Sequence, residues 1–162
     1  MQPELGQEKP WFEEIAIPAL LRHARTTYGS AMRRASAEAG YDDIPKNGLY
    51  VIGGLALEDR EIPLGQLIQE LRISKQAAGQ LVDALVLRGY LRRAEDPADR
   101  RKLTVTLSER GRAAAAAQAA ALEKIDAELV ASVGREDVSR TRRTLAVLID
   151  IGRRDPTPSD EE

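Results

Sequence analysis

The 162-residue chain contains no cysteine and only one histidine, His23. Without a thiol there is no disulfide, thiolate zinc centre, iron–sulfur cluster, cysteine nucleophile or sensor based on thiol oxidation. One imidazole cannot build a His-rich metal site or a pair of histidine bases, so neither metal nor cofactor is expected. No apolar run approaches the ~18 residues a membrane span needs. The opening Met1-Gln2-Pro3-Glu4-Leu5-Gly6 lacks the basic and apolar regions of a secretory signal. A cytoplasmic protein with no membrane partner is the expectation. A Gly-rich phosphate loop, a nucleophile motif and metal-ligand spacing are missing too. An enzyme is therefore the least supported class, and no catalytic residue is assigned.

What is present suits a soluble globular chain: 43% hydrophobic and 31% charged residues. A chain of this length buries roughly two-thirds of its unfolded surface and needs no staple. Residues 1–10 read as a flexible lead-in. From Trp11 to about Ala39 the spacing is helical, with Ile15, Ile17, Leu20, Leu21, Ala24, Tyr28, Ala31, Met32 and Ala35 at intervals of three and four. Pro18 either kinks this stretch or opens its main helix. Gly40-Tyr41-Asp42-Asp43 ends it. A second helix is expected from near Pro45 through Leu49, Tyr50, Ile52 and Leu55. Its Gly53-Gly54 pair costs about 1 kcal/mol per glycine and is read as close helix packing, ahead of a ligand contact.

After a polar turn at 58–61 and a short strand residue at Ile62, two brief helical patterns follow. The first runs Leu64–Leu71. The second runs Lys75–Arg88, with Ser74 as N-cap, Ala78, Leu81, Val82 and Leu85 as its inner stripe, and Gly89 as its stop. The short turn between them, with Ile73 expected to be buried, makes a helix-turn-helix. Tyr90–Arg93 and Leu103–Leu107 read as strands, the latter with Leu103, Val105 and Leu107 on one side, flanking a polar hairpin loop. Ser108-Glu109 caps a long helix whose segment 113–121 is alanine at eight of nine positions. Gly134 breaks the pattern, a last helix carries Val138, Leu145, Leu148, Ile149 and Ile151, and an acidic tail follows.

Charge is segregated. The net charge of −2 alone offers no reason to expect a nucleic acid. Yet residues 72–112 hold ten basic and five acidic residues, a balance of +5, which leaves −7 for the remainder. A basic segment coinciding with a helix-turn-helix and a hairpin is the footprint of contact with a phosphate backbone. Ser74, Lys75, Gln76 and Gln80 lie on the non-core side of the second helix, near the end that enters a major groove. Gln can pair with adenine and Lys with guanine or phosphate, while Ala77 suits a thymine methyl. Gly79 permits either close approach to the groove or tight packing on the preceding helix. Arg100, Arg101 and Lys102 sit where a hairpin tip can enter a narrow minor groove. Asp99 can orient a neighbouring arginine, and Arg92 extends the basic face.

At these residues the chain resembles the winged helix-turn-helix of MarR-type transcriptional regulators. The most specific element is Asp96-Pro97-Ala98-Asp99-Arg100-Arg101, then a short strand, then Leu107-Ser108-Glu109-Arg110-Gly111 opening a helix. The resemblance is sharp over residues 64–112 and rests on helix order and length in the flanks. It implies a homodimer, with two recognition helices on a pseudo-palindromic duplex operator. It makes Asp99 and Arg101 the wing pair, Arg101 reaching the minor groove. Ala77 and Gly79 depart from the commoner polar choices. It also implies a small aromatic or anionic effector, for which His23, Tyr28 and Tyr50 are the candidates, although a core role competes for each. The lack of cysteine excludes the thiol-oxidation sensing of some relatives.

The expected fold is mainly α with a small β wing. Its parts are a lead-in (1–10), an N-terminal dimerisation helix region (11–43), the winged helix-turn-helix (44–108), C-terminal dimerisation helices (109–154) and an acidic disordered tail (155–162). The amphipathic ends offer more apolar surface than a small winged domain covers, which favours dimerisation over an intrachain bundle. The expected function is a bacterial, ligand-responsive, sequence-specific regulator, a repressor by preference. The alternative is a winged-helix interaction module that modulates another regulator without binding DNA.

Overall fold

A computed structural model of the chain describes residues 9–58, 62–71, 73–95, 99 and 103–154. After a 3-10 turn at Trp11–Glu14, the elements are α1 (Ile17–Glu38), α2 (Gly48–Glu58), β1 (Ile62–Pro63), α3 (Leu64–Leu71), α4 (Lys75–Leu87), β2 (Leu91–Glu95), β3 (Leu103–Leu107) and α5 (Glu109–Arg154). The fold is thus mostly helical with a small antiparallel sheet, as the sequence pattern implies. The chain divides between Leu122 and Glu123 into two compact units, a boundary that falls within α5.

Pro18 opens α1 and does not kink it: it occupies the first turn, where no N–H is needed. Pro45 does not begin α2. Its carbonyl instead accepts the Gly48 N–H at 2.8 Å in a turn that precedes the helix. The sheet has the order β1-β3-β2, with β3 central, Leu91 opposite Leu107 and Glu95 opposite Leu103. Pro63 sits in the edge strand β1, where a residue without an N–H is tolerated.

α1 and α4 end the same way. Gly40 and Gly89 adopt φ of 84° and 78°, the left-handed region where a side chain is costly. At each end the residue after the glycine donates its N–H back into the last turn. Tyr41 bonds to Ser36 at 2.7 Å and Tyr90 to Leu85 at 2.9 Å, the Schellman closure. These two chain-reversing tyrosines then meet edge to face, ring centroids 6.2 Å apart at 76°.

Tyr90 is fully buried in a core with Leu49, Ile52 and Leu55 of α2, Leu67 of α3, Val82 and Leu85 of α4, Leu91, Val105 and Leu107 of the sheet, and Ala114 and Ala115 of α5. Burying each large aliphatic side chain contributes about 1.5–3 kcal/mol. The Tyr90 hydroxyl donates to Asp43 Oδ1. Arg110 donates to the same carboxylate at 3.2 Å and to the phenol oxygen at 3.0 Å. Its guanidinium also lies 4.7 Å from the Tyr90 ring centroid. The phenol's hydrogen bond, and then Arg110, hold the Asp43 carboxyl below its usual range despite the cost of burial. Burial and Asp43 push the Tyr90 phenol up.

The start of α5 closes on the same place. Ser108 Oγ accepts the Gly111 N–H at 2.9 Å and donates toward the carbonyls of Gly89 and Tyr90. A Cβ at position 111 would lie 2.1 Å from the Tyr90 carbonyl oxygen, so only glycine fits. The Leu-Ser-x-x-Gly spacing is therefore a contact requirement. Gly134 interrupts α5 with φ 85° and ψ 161°.

Two sequence expectations need correction. Ile73 is 36% exposed, not buried, because the turn before α4 holds it at the surface. In β3, Leu103 is exposed while Thr104 is buried, its hydroxyl directed to the Ala94 carbonyl at 3.3 Å.

Gly111→Ala is expected to cost about 1–3 kcal/mol or more, read as a lowered midpoint in urea. An unchanged midpoint would show that α5 can lift off Tyr90 freely. The pH dependence of stability has a defined sign as well. Asp43 binds protons less readily folded than unfolded, so its contribution is complete above its ordinary pKa of 3.8 and is lost as pH falls through the lower folded value. The stability gap between wild type and Asp43→Asn should be full at pH 6 and shrink below pH 3.8. A gap of constant size down to pH 2.5 would contradict it.

Candidate nucleic-acid interface and effector cavities

Ser74 caps α4, its hydroxyl accepting the Ala77 N–H at 3.2 Å. This fixes the helix start at the residues expected to read DNA. Ala78, Val82 and Leu85 are fully buried, and their 3.6-residue periodicity turns Gln76 and Gln80 to the opposite side, with Ala77 at its flank. Ser74 and Lys75 share the stripe's face by spacing but stand at the helix start, and all five are exposed. Gly79 is half-buried, and a Cβ there would meet nothing within 4 Å. Tight packing is therefore not why position 79 is small.

Asp83 is the only acid on α4 and would repel a phosphate backbone. Arg93 of β2 pairs with it, tying the helix to the wing strand. Arg92, one residue earlier, is exposed. Asp99 is half-buried and has a polar partner. Arg100, Arg101 and Lys102 lie outside the described residues.

The effector candidates are placed differently from one another. His23 is exposed on α1 and lines neither of two cavities beside α2. Tyr28 lines an apolar cavity of about 530 Å³, together with Met32, Gly53, Gly54, Leu57, Gln118 and Leu122. Tyr50 lines this cavity and also a groove of about 520 Å³ bordered by Arg22, Arg25, Arg33 and Lys46. Arg25 stacks on the Tyr50 ring at 4.4 Å. Trp11 and Phe12 form an exposed edge-to-face pair, centroids 6.0 Å apart.

The close packing expected at Gly53-Gly54 holds only in part. A Cβ at 53 would touch Gln118 Oε1 at 3.5 Å, whereas one at 54 would meet open space. Gln118 was not among the residues singled out from the sequence. It is 1% exposed, and neither amide atom has a hydrogen-bond partner among the described residues. Its signal was legible as the one polar residue in the alanine run 113–121. The basic groove was legible too, since Arg22, Arg25 and Arg33 recur at a spacing that keeps them on one face of α1.

Among the described residues no three acidic or histidine side chains cluster as metal ligands. None of the described helices is long and apolar enough to cross a membrane.

Residues 49–102 match the family model described as MarR family, a third of the chain. No curated protein matches the sequence. Among solved structures, the chain is similar to MarR (16% identity, TM-score 0.68, covering 87% of this chain and 93% of that one). It is also similar to a probable transcriptional regulator from Pseudomonas aeruginosa (26% identity, TM-score 0.62, 85% and 98%). A third match is the transcriptional repressor CouR bound to a 23-mer DNA duplex (19% identity, TM-score 0.66, 92% and 99%).

Replacing Ser74 by Ala is expected to cost about 1 kcal/mol through the lost cap, measured by urea unfolding. No change would mean that α4 starts elsewhere.

Proposed function

We propose that this chain, whose residues 49–102 match the model of the MarR family, is a homodimeric, sequence-specific DNA-binding transcriptional regulator of that family, a repressor released by a small-molecule ligand. The observation that carries the reading is the solvent-facing side of α4. Gln76 and Gln80 are exposed opposite a fully buried stripe, with Lys75 exposed at the helix start and Ala77 at the flank, within a segment of charge +5. Polar side chains able to read base edges stand on a rigid helix, and the one acid beside them is neutralised by Arg93. The basic residues at 100–102 supply the wing, with Arg101 in the minor groove and Asp99 orienting it. A similar fold on a DNA duplex in CouR supports the same geometry.

A second copy of the chain is the partner that fits the remaining apolar surface. Trp11, Phe12, Ile15 and Ile17 are exposed near the N-terminus. Leu145, Val147, Leu148, Ile149 and Ile151 are exposed in the C-terminal unit. Side chains of this size left in water are an interface signature. A two-fold dimer would present two α4 helices to half-sites about one DNA turn apart. The operator, a pseudo-palindrome on this reading, is sought beside the protein's own gene in the bacterial cytoplasm.

The test is binding to duplex DNA flanking that gene, titrated at several salt concentrations. Affinity should fall steeply with salt, with a slope of about −0.9 per phosphate engaged. Arg101→Ala should weaken operator binding about tenfold or more while sedimentation still reports a dimer. A flat salt dependence would indicate a protein-interaction module that modulates another regulator. Unchanged affinity in Arg101→Ala would remove Arg101 from the interface.

A further inference from the structure

α1 stands apart from the core that joins the other elements. That core takes side chains from α2, α3, α4, the sheet and the start of α5, with Tyr41 and Ile44 from the turn after α1, but none from α1 itself. Met32 and Ser36 of α1 are buried outside it. Two attachments tie the helix to these elements. The first is midway along α1, where the Tyr50 ring of α2 lies 4.4 Å under the Arg25 guanidinium and its hydroxyl donates to the Arg25 carbonyl at 3.5 Å. Gly29 makes room for it, since a Cβ there would lie 2.7 Å from the Tyr50 hydroxyl oxygen.

The second attachment is at the exit of α1, and Arg110 in the first turn of α5 makes it. Its guanidinium donates to Asp43 and to the Tyr90 phenol, and lies 4.7 Å from the Tyr90 ring centroid and 5.5 Å from that of Tyr41. A planar, forked cation can serve both oxygens and both rings at once, which a lysine ammonium cannot. Arg110 and Asp43 remain 44% and 42% exposed, and a pair so open to water adds little to stability. Its geometry matters more. A helix held at one point pivots about it, whereas two points fix its direction. The 22 residues of α1 span about 33 Å, so a tilt of about 10° moves the far end by about 6 Å. The exposed Trp11, Phe12, Ile15 and Ile17 lie at that far end.

We infer that Arg110 is a positioning residue: by clasping Asp43 and the two tyrosines it fixes the direction of α1 on the winged-helix unit, and thereby the separation of the two α4 helices in the dimer. The separation rests on the homodimer of the proposed function, whereas the direction of α1 is a property of one protomer. Without the clasp, α1 keeps only its contacts at Tyr50 as a pivot, and the two recognition helices lose a defined spacing.

The experiment uses the full-length protein without DNA. Because the chain has no cysteine, introduced thiols are the only positions that take a spin label. Thr27→Cys on α1 and Gln69→Cys on α3, both at exposed positions, carry the labels. Dilution with unlabelled protein lets pulsed electron paramagnetic resonance read the distance within one protomer. The parent sequence should give one narrow distance. Arg110→Gln and Asp43→Ala should each broaden it while lowering the melting temperature only slightly, and an unchanged distribution in either variant overturns the inference. Ser74→Ala is the control for stability alone, since it removes a cap at the start of α4. It should leave the distance narrow; equal broadening there would reduce the clasp to a contribution to stability, and the inference fails. Gln69→Cys alone, labelled in every protomer, reads the separation across the dimer. That separation should broaden with Arg110→Gln, and a constant value overturns the link to α4 spacing. If the parent protein shows no distance between protomers, the dimer reading falls, while the pair at positions 27 and 69 still decides the clasp.

Discussion

The approach of the Gly111 backbone to the Tyr90 carbonyl governs how the rest of the winged-helix unit is held. No Cβ can stand between them, so the first turn of α5 lies directly on the end of α4 and the start of β2. Ser108 closes the contact from the other side, its N–H donating to the Tyr90 carbonyl at 3.0 Å. From the opposite end of the tyrosine, the phenol reaches Asp43 after α1, and Arg110 bridges both. One buried side chain with its backbone thus joins the exits of α1 and α4 to the entries of β2 and α5. Because interiors are close-packed, displacement at one of these four places is felt at the others.

Charge follows the same logic of local arrangement over composition. A chain with net charge −2 has no global attraction for DNA. The segment 72–112 nevertheless carries +5, and its arrangement sharpens that figure. Asp83 is paired with Arg93, which leaves α4 with no bare carboxylate. A separate basic group lies on α1, where Arg22, Arg25 and Arg33 border one groove. Two basic surfaces therefore exist, one on α4 and the wing strand, one beside α2.

Most of the fold was legible because its determinants are local. Ser74, Gly89, Ser108 and Gly134 punctuate helices by capping chemistry that needs no tertiary information. The β3 alternation was readable but misassigned at its first two residues. The hydroxyl of Thr104 finds a carbonyl across the strand pair, which lets a polar residue turn inward and leaves Leu103 outside. Ile73 failed for a similar reason: an apolar residue in a three-residue turn is held where the chain must pass. The cavities beside α2 were the least legible part. Tyr28 and Tyr50 were found as aromatics near the junction, but their neighbours come from α1, α2 and α5, which are far apart in sequence. Gln118 shows the limit well. Its identity stands out in an alanine run, whereas its burial opposite Gly53 depends on how α5 meets α2.

α2 touches both the cavities and α4. One of its sides, at Gly48, packs against α4 so closely that a Cβ there would lie 2.9 Å from Leu85 Cδ2. Its other side, at Tyr50, Gly53 and Gly54, lines the cavities. Leu49 belongs to the core and to both cavity walls. The glycines that weaken α2 as a helix have a counterpart in these contacts. Gly48 permits the close contact with α4 and Gly54 keeps the cavity open, so the costs in helix propensity fall on the two sides that must meet something other than α2 itself.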